Sequence, residues 1–344
     1  GSFIYTAFSF NLEALIPFLK VEKNRYFLAN NILKPIGIVF LLFFIISLNI
    51  TDKLNYSFAL LIASGNFIGK SAITNYISEK KYKKSSYLRV IQSSIYNVTK
   101  LIGGLINEKS LLIFSEFFQY IFYCRTFSFS LKRFKRFWTT SKSQITKHVK
   151  FGYPQSLIDA SYESLVPIII SFMYGEYIIG VIYFLFSKLQ AVIQLVTTSL
   201  TQVFSSEFRS FNTNQKLKTF KKTIFNYSII MIFGYVLMLC FGKELIKIIF
   251  GDKWVRSYIF LELGYVMVYF RYMSALFGFI PVLYMIQNKG IIFSALRLIM
   301  SFFWLYIAFL NQFDVEFTWK YFTMITSAVS LSQVIWYYTV IKKY

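Results

Sequence analysis

Five ionisable residues interrupt long apolar stretches of this chain: Asp159, Glu163, Lys188, Arg271 and Arg297. A charge at the centre of a membrane-spanning helix costs roughly 2.5–3.5 kcal/mol on insertion scales, so such residues face a bundle interior or an aqueous cavity rather than lipid. Asp159 and Glu163 are four residues apart and share one face of a helix. Three cations with two carboxylates nearby suit a cationic cavity for an anionic cargo. The competing explanation is structural, either ion pairs between helices or long side chains reaching back to the interface.

Other chemistry is hard to find. Gly65-Asn66-Phe67-Ile68-Gly69-Lys70-Ser71 looks like a phosphate-binding loop. It is one residue short between the glycines, and it ends an apolar run with no strand before it, so the phosphate cradle cannot form. His148, the lone histidine, lies in a basic loop with Lys147 and Lys150 and has no acidic orienter in sequence. Cys124 and Cys240 lie in or beside apolar runs and give neither a disulfide framework nor a metal cluster. No nucleophile–base set and no dinucleotide loop stands out. The expectation is therefore a protein that is not an enzyme and holds no cofactor or metal.

The elements that must carry the five charges are membrane spans. Of 344 residues, 56% are hydrophobic and only 15% charged, with 41 Phe and 26 Tyr. The mean hydropathy is +0.53. Ordinary soluble proteins carry about 25% charged residues. A disordered chain is excluded, and a soluble enzyme does not fit. Apolar stretches long enough to cross a bilayer fall at 2–19, 33–50, 56–75, 90–106, 110–126, 155–174, 178–205, 224–241, 258–286, 291–310 and 319–341. That makes eleven spans, in an all-α integral membrane protein. The stretches 178–205 and 258–286 exceed one crossing and imply long, tilted or kinked helices, with Pro281 a kink site.

Charge orients these spans. The net charge is +22, which in a soluble protein would suggest nucleic acid. Here the basic residues lie between apolar runs, as in loops beside an anionic leaflet, so no nucleic-acid partner is expected. The odd-numbered links and the C-terminal tail hold 26 Lys and Arg, and the even-numbered links hold 8. The bias puts the C-terminus and the basic links in the cytoplasm and Gly1 outside. One further helix before Gly1 would make twelve. The longest and most basic link contains Lys132, Arg133, Lys135 and Arg136 interleaved with Phe134, Phe137 and Trp138. It reads as a basic interfacial linker over 128–150. It divides a first bundle at 1–127, lacking its first helix, from a six-helix bundle at 151–344. Phe10-Asn11-Leu12-Glu13 and Phe204-Ser205-Ser206-Glu207 each end a span before a basic link, a faint sign of parallel duplication.

Several of these stretches, in order, resemble one family. Asn11-Leu12-Glu13-Ala14-Leu15-Ile16-Pro17, Asn75-Tyr76 with Arg89-Val90-Ile91-Gln92-Ser93, and Gly180-Val181-Ile182-Tyr183 followed by Lys188-Leu189 belong to the set. Gln202-Val203-Phe204 with Glu207, and Phe250-Gly251-Asp252-Lys253-Trp254, complete it. Together they are similar to the polysaccharide-biosynthesis flippases, the Wzx-type branch of the multidrug/oligosaccharidyl-lipid/polysaccharide exporter superfamily. The resemblance implies two six-helix bundles in a V around a central cavity, with rocker-switch alternating access. It implies a cargo of undecaprenyl-pyrophosphate-linked oligosaccharide, moved to the outer leaflet of a bacterial inner membrane for O-antigen or a related glycan. Membrane lipids and a glycan polymerase are the implied partners. Lys188 and Arg271 fall at or near basic positions of that family. The alternatives are a multidrug exporter of the same superfamily, a membrane glycosyltransferase or polymerase, and a structural membrane protein.

Overall fold

The computed structural model describes residues 145–344 continuously. Before them it describes Leu33, residues 36–43 and isolated positions between 64 and 143. At least half of each span expected before residue 145, the Gly65–Ser71 stretch and most of the 128–150 linker lie outside the described residues. The chain forms two compact units, Gly1–Leu157 and Ile158–Tyr344.

All regular structure among the described residues is helical. Residues 145–150, at the end of the expected linker, are helical and pass through a π-helical turn at His148–Gly152. His148, read from sequence as a loop residue, is fully buried in this turn. Its ring lies on Gly152, where an added Cβ would come 2.7 Å from Nδ1.

Helix α1 follows at Tyr153–Tyr174, α2 at Glu176–Glu207 and α3 at Thr213–Phe250. Then come α4 at Ser257–Leu276, the single turn α5 at Ile280–Leu283, α6 at Gln287–Leu310 and α7 at Val315–Lys343. Among the described residues, five helical stretches are long and apolar enough to span a membrane: Ile145–Tyr174, Thr213–Phe250, Ser257–Leu283, Gln287–Leu310 and Val315–Lys343. The sixth expected span, α2, has 32 residues. At about 1.5 Å per residue, a helix of that length also exceeds the roughly 30 Å hydrocarbon core.

Local chemistry explains the boundaries. Asn212 caps α3 by accepting from the Gln215 N–H at 2.9 Å, and the Gln215 side chain accepts from the Asn212 N–H at 3.0 Å. This reciprocal cap begins α3 well before the apolar stretch at 224, through a basic amphipathic start. Asp314 caps α7 by a one-way bond, its carboxylate accepting from the Phe317 N–H at 2.7 Å. The expected kink in 258–286 lies at Phe277–Phe279, where α4 ends and α5 resumes. Pro281 sits in the first turn of α5, where its missing N–H costs no helical bond. Gly175 and Gly251 adopt φ of 87° and 90° at the α1–α2 and α3–α4 turns, a region that side chains with a Cβ rarely enter.

Within the second unit, α4 packs against α7, α2 and α3, and α7 also holds α6. The α4–α7 seam is the core. The Trp319 indole, 1% exposed, donates to the Phe260 carbonyl at 2.9 Å, and the Thr323 hydroxyl donates to the Leu263 carbonyl at 3.1 Å. Thr318, Thr323, Thr326, Ser327 and Ser330 line the buried face of α7, the small polar side chains that let spanning helices approach closely. Gly264 allows a close approach of α2: a Cβ there would lie 2.7 Å from Phe186 Cε2. Phe186 is 2% exposed and cannot yield. Gly264→Leu is therefore expected to abolish the monodisperse size-exclusion peak of the purified chain, since overpacking costs about 1–3 kcal/mol even for smaller insertions. A peak like that of wild type would show that α2 and α4 have room to separate.

Candidate functional site

Four of the five intramembrane charges come together. Asp159 and Glu163 project from one face of α1, one helical turn apart. Arg271 of α4 pairs with Glu163, Nη2 to Oε1. Arg297 of α6 pairs with Asp159, with Nη1 3.6 Å from Oδ1. The quartet thus joins three helices that are far apart in sequence, and its formal charge is zero.

The two pairs sit in different surroundings. The Arg297 side chain is 10% exposed, and its Nη2 donates to Gln333 Oε1 on α7 at 2.9 Å. The Gln333 amide in turn donates to the buried Tyr337 hydroxyl at 2.8 Å. Ser294, one turn before Arg297, is buried on α6 and faces the Asp159 carboxylate. Arg297 is therefore fixed by contacts from two other helices. Arg271 is looser. Its guanidinium lies 5.8 Å over the Tyr162 ring and bonds Glu163. Its side chain is 18% exposed and that of Glu163 is 61% exposed. Tyr162 stacks on Phe322 at 6.3 Å and shares a 3.5 Å contact with the Thr326 hydroxyl, which fixes the floor beneath Arg271.

Lys188 is placed apart from these contacts. It is exposed on α2, with its ammonium 6.0 Å over the Phe184 ring, and among the described residues it has no acidic partner within 4 Å. Phe184 stacks on Trp254 at 3.7 Å and meets Phe250 edge-on at 5.2 Å. Lys188 thus lies beside an aromatic cluster at the α3–α4 turn, where a second cation, Lys253, lies 5.7 Å over the Trp254 ring.

Gln333, Tyr337, Ser294 and Tyr162 are members of the site that charge alone did not mark. A signal existed in the last span. Thr323, Thr326, Ser330, Gln333 and Tyr337 recur every three or four residues, which places one polar line along an apolar helix. Among the described residues, no cluster of three or more His, Cys, Asp or Glu could hold a metal ion.

A guanidinium whose carboxylate partner is exposed has the chemistry to take another anion in its place. A phosphate oxygen makes the same charge-assisted bonds to a guanidinium as a carboxylate does, and it fits the fork of Arg bidentately. Arg271 can change partner because Glu163 opens onto solvent. Arg297 cannot do so without unpairing both Asp159 and Gln333.

A sequence profile described as polysaccharide biosynthesis protein matches residues 31–259. Among curated proteins, none matches the chain in sequence. Among solved structures, a transporter of the MOP superfamily from Pyrococcus furiosus Vc1 (DSM3638) is similar with a TM-score of 0.70 at 12% identity. The match covers 99% of this chain and 85% of that one, and the report on that protein concerns the reversed polarity of its binding pocket. A MATE transporter solved with MaL6 is similar with a TM-score of 0.67 at 14% identity, over 99% and 86% of the two chains. An outward-facing multidrug resistance MATE transporter follows at a TM-score of 0.65 and 12% identity, over the same shares.

Proposed function

From the premise that this chain belongs to the polysaccharide-biosynthesis protein family, we propose that it is a membrane transporter and not an enzyme, a flippase for a lipid-linked oligosaccharide. The cargo is an oligosaccharide joined through pyrophosphate to undecaprenol. It crosses from the cytoplasmic to the outer leaflet of a bacterial inner membrane by alternating access. There a glycan polymerase extends it into O-antigen or a related surface polysaccharide.

The observation that carries this reading is the paired quartet of intramembrane charges on α1, α4 and α6. A pyrophosphate cannot cross an apolar slab without counter-charge. Arg271 supplies it by exchanging Glu163 for a phosphate oxygen, and Arg297 positions Asp159 and α1 for that exchange. The site is thus neutral at rest and becomes cationic towards the cargo as Glu163 turns to solvent. Lys188 adds a second exposed cation. Tyr and Trp rings offer stacking faces for the sugars, while the polyprenyl tail stays in lipid.

Complementation tests the reading. Expression in a strain lacking its own flippase is expected to restore surface glycan, measured together with protein level. Full expression with no surface glycan would count against it. The greater exposure of Glu163 supports a second reading, a multidrug exporter taking cationic cargo at the carboxylates. That reading predicts raised resistance to lipophilic cations and no restored glycan.

A further inference from the structure

The basic end of α3 faces outward and is built unlike the rest of that helix. Lys218, Lys221 and Lys222 are all exposed, and their spacing puts them on one face. The same face continues directly as Phe225, Ile229, Ile232, Phe233 and Val236, all exposed. Asn226 is exposed one turn beyond Lys222. No acidic residue occurs between Glu207 and Glu244, so nothing on α3 neutralises the three ammonium groups. The opposite face is committed to packing. Phe220 meets Phe277 at 4.3 Å, Tyr227 stacks on Tyr269, and the Met231 carbonyl accepts from the Tyr265 hydroxyl at 2.8 Å.

Two rings hold this end in place. Lys221 lies 5.7 Å over Tyr338, and Lys216, turned to the other side of α3, lies 5.1 Å over Tyr284. Tyr284 itself stacks on Tyr344 at 5.3 Å. Burial pushes the Tyr284 phenol up, so the ring stays neutral beneath the ammonium.

We infer that this stripe is a binding site for anionic phospholipid of the surrounding bilayer. The lysines hold the phosphate and the Phe225–Val236 face carries the acyl chains. The match is to the amphipathic profile of a phospholipid: a charged head, one hydrogen-bonding group at Asn226 for the glycerol esters, then apolar surface only. The transported lipid is not the occupant, because the stripe faces away from the packed side of α3 and the charge quartet lies on α1, α4 and α6. The inference does not rest on the flippase reading.

The test uses the full chain purified from vesicles of equal parts phosphatidylglycerol and phosphatidylcholine, with the co-purifying lipid counted. Wild type is expected to retain phosphatidylglycerol preferentially, with each lysine worth about a fivefold enrichment at low salt. Lys218→Gln, Lys221→Gln and Lys222→Gln combined are expected to remove the preference, and the three Arg replacements to keep it. Raising salt should erase the preference in wild type itself, as screening shortens the reach of the charges. Inorganic phosphate should compete only weakly, since it lacks the chains. No preference in wild type, a preference insensitive to salt, or an unchanged preference in the triple Gln variant would each overturn the inference. The assay reads no transport, so its failure leaves the proposed cargo untouched.

Discussion

Arg271→Ala is expected to abolish glycan restoration in a flippase-deficient strain at near-normal protein level. The guanidinium is the only group in the quartet that can change partner without stranding a buried one. Its loss leaves Glu163, whose side chain is 61% exposed and therefore hydrated, so the penalty to folding is small. The penalty to transport is large. Charge-assisted bonds are worth about 1.5–3 kcal/mol each, so losing a bidentate pair costs at least a hundredfold in cargo binding. Arg271→Lys keeps the charge but not the fork and should retain part of the activity. Lys188→Ala is expected to be milder than Arg271→Ala and to deepen the defect of Arg271→Lys. Normal glycan in Arg271→Ala at normal expression would remove Arg271 from the transport path.

Arg297→Ala should have the opposite signature: the protein itself should be lost. Arg297 is 10% exposed and satisfies both Asp159 and Gln333. Removing it leaves the Asp159 carboxylate, whose side chain is 39% exposed, without its partner inside a span, which partial hydration holds to about 1–2.5 kcal/mol. It also leaves the Gln333 amide oxygen unpaired, at about 1–3 kcal/mol more. The sum is a large part of the stability of an ordinary domain. Membrane abundance is expected to fall severalfold, as measured by quantitative immunoblot. Adding Asp159→Asn should recover part of it, because the stranded charge is gone. If Arg297→Ala accumulates normally but does not transport, Arg297 belongs with Arg271 in contacting cargo. The two arginines read alike in the sequence and are separated only by their neighbours.

The sequence carried much of this fold, for a physical reason. A spanning helix must satisfy its own backbone and present apolar side chains to lipid, so six spans in the second half announce themselves as apolar runs. Their ends were less legible. The α3 start at Thr213 depends on the Asn212–Gln215 cap and a basic amphipathic turn, neither of which raises hydropathy. His148 misled in the other direction: flanking lysines suggested a loop, whereas the π-turn closes its ring onto Gly152. For the site, Asp159, Glu163, Arg271 and Arg297 were visible because charges are rare in spans. Which acid meets which base was not visible, since that depends on the rotation of α1, α4 and α6 about their axes. Gln333 and Tyr337 were masked by the general richness of the chain in aromatic and small polar residues.

The most direct measurement is leaflet transfer by the purified chain. Reconstituted into vesicles with a labelled pyrophosphate-linked oligosaccharide on one face, wild type is expected to deliver label to the other face. The transfer should depend on the pyrophosphate, be lost in Arg271→Ala and be untouched by the three Gln replacements at Lys218, Lys221 and Lys222. Label that stays on its starting face with folded wild type, or that crosses equally well with Arg271→Ala, would contradict the account.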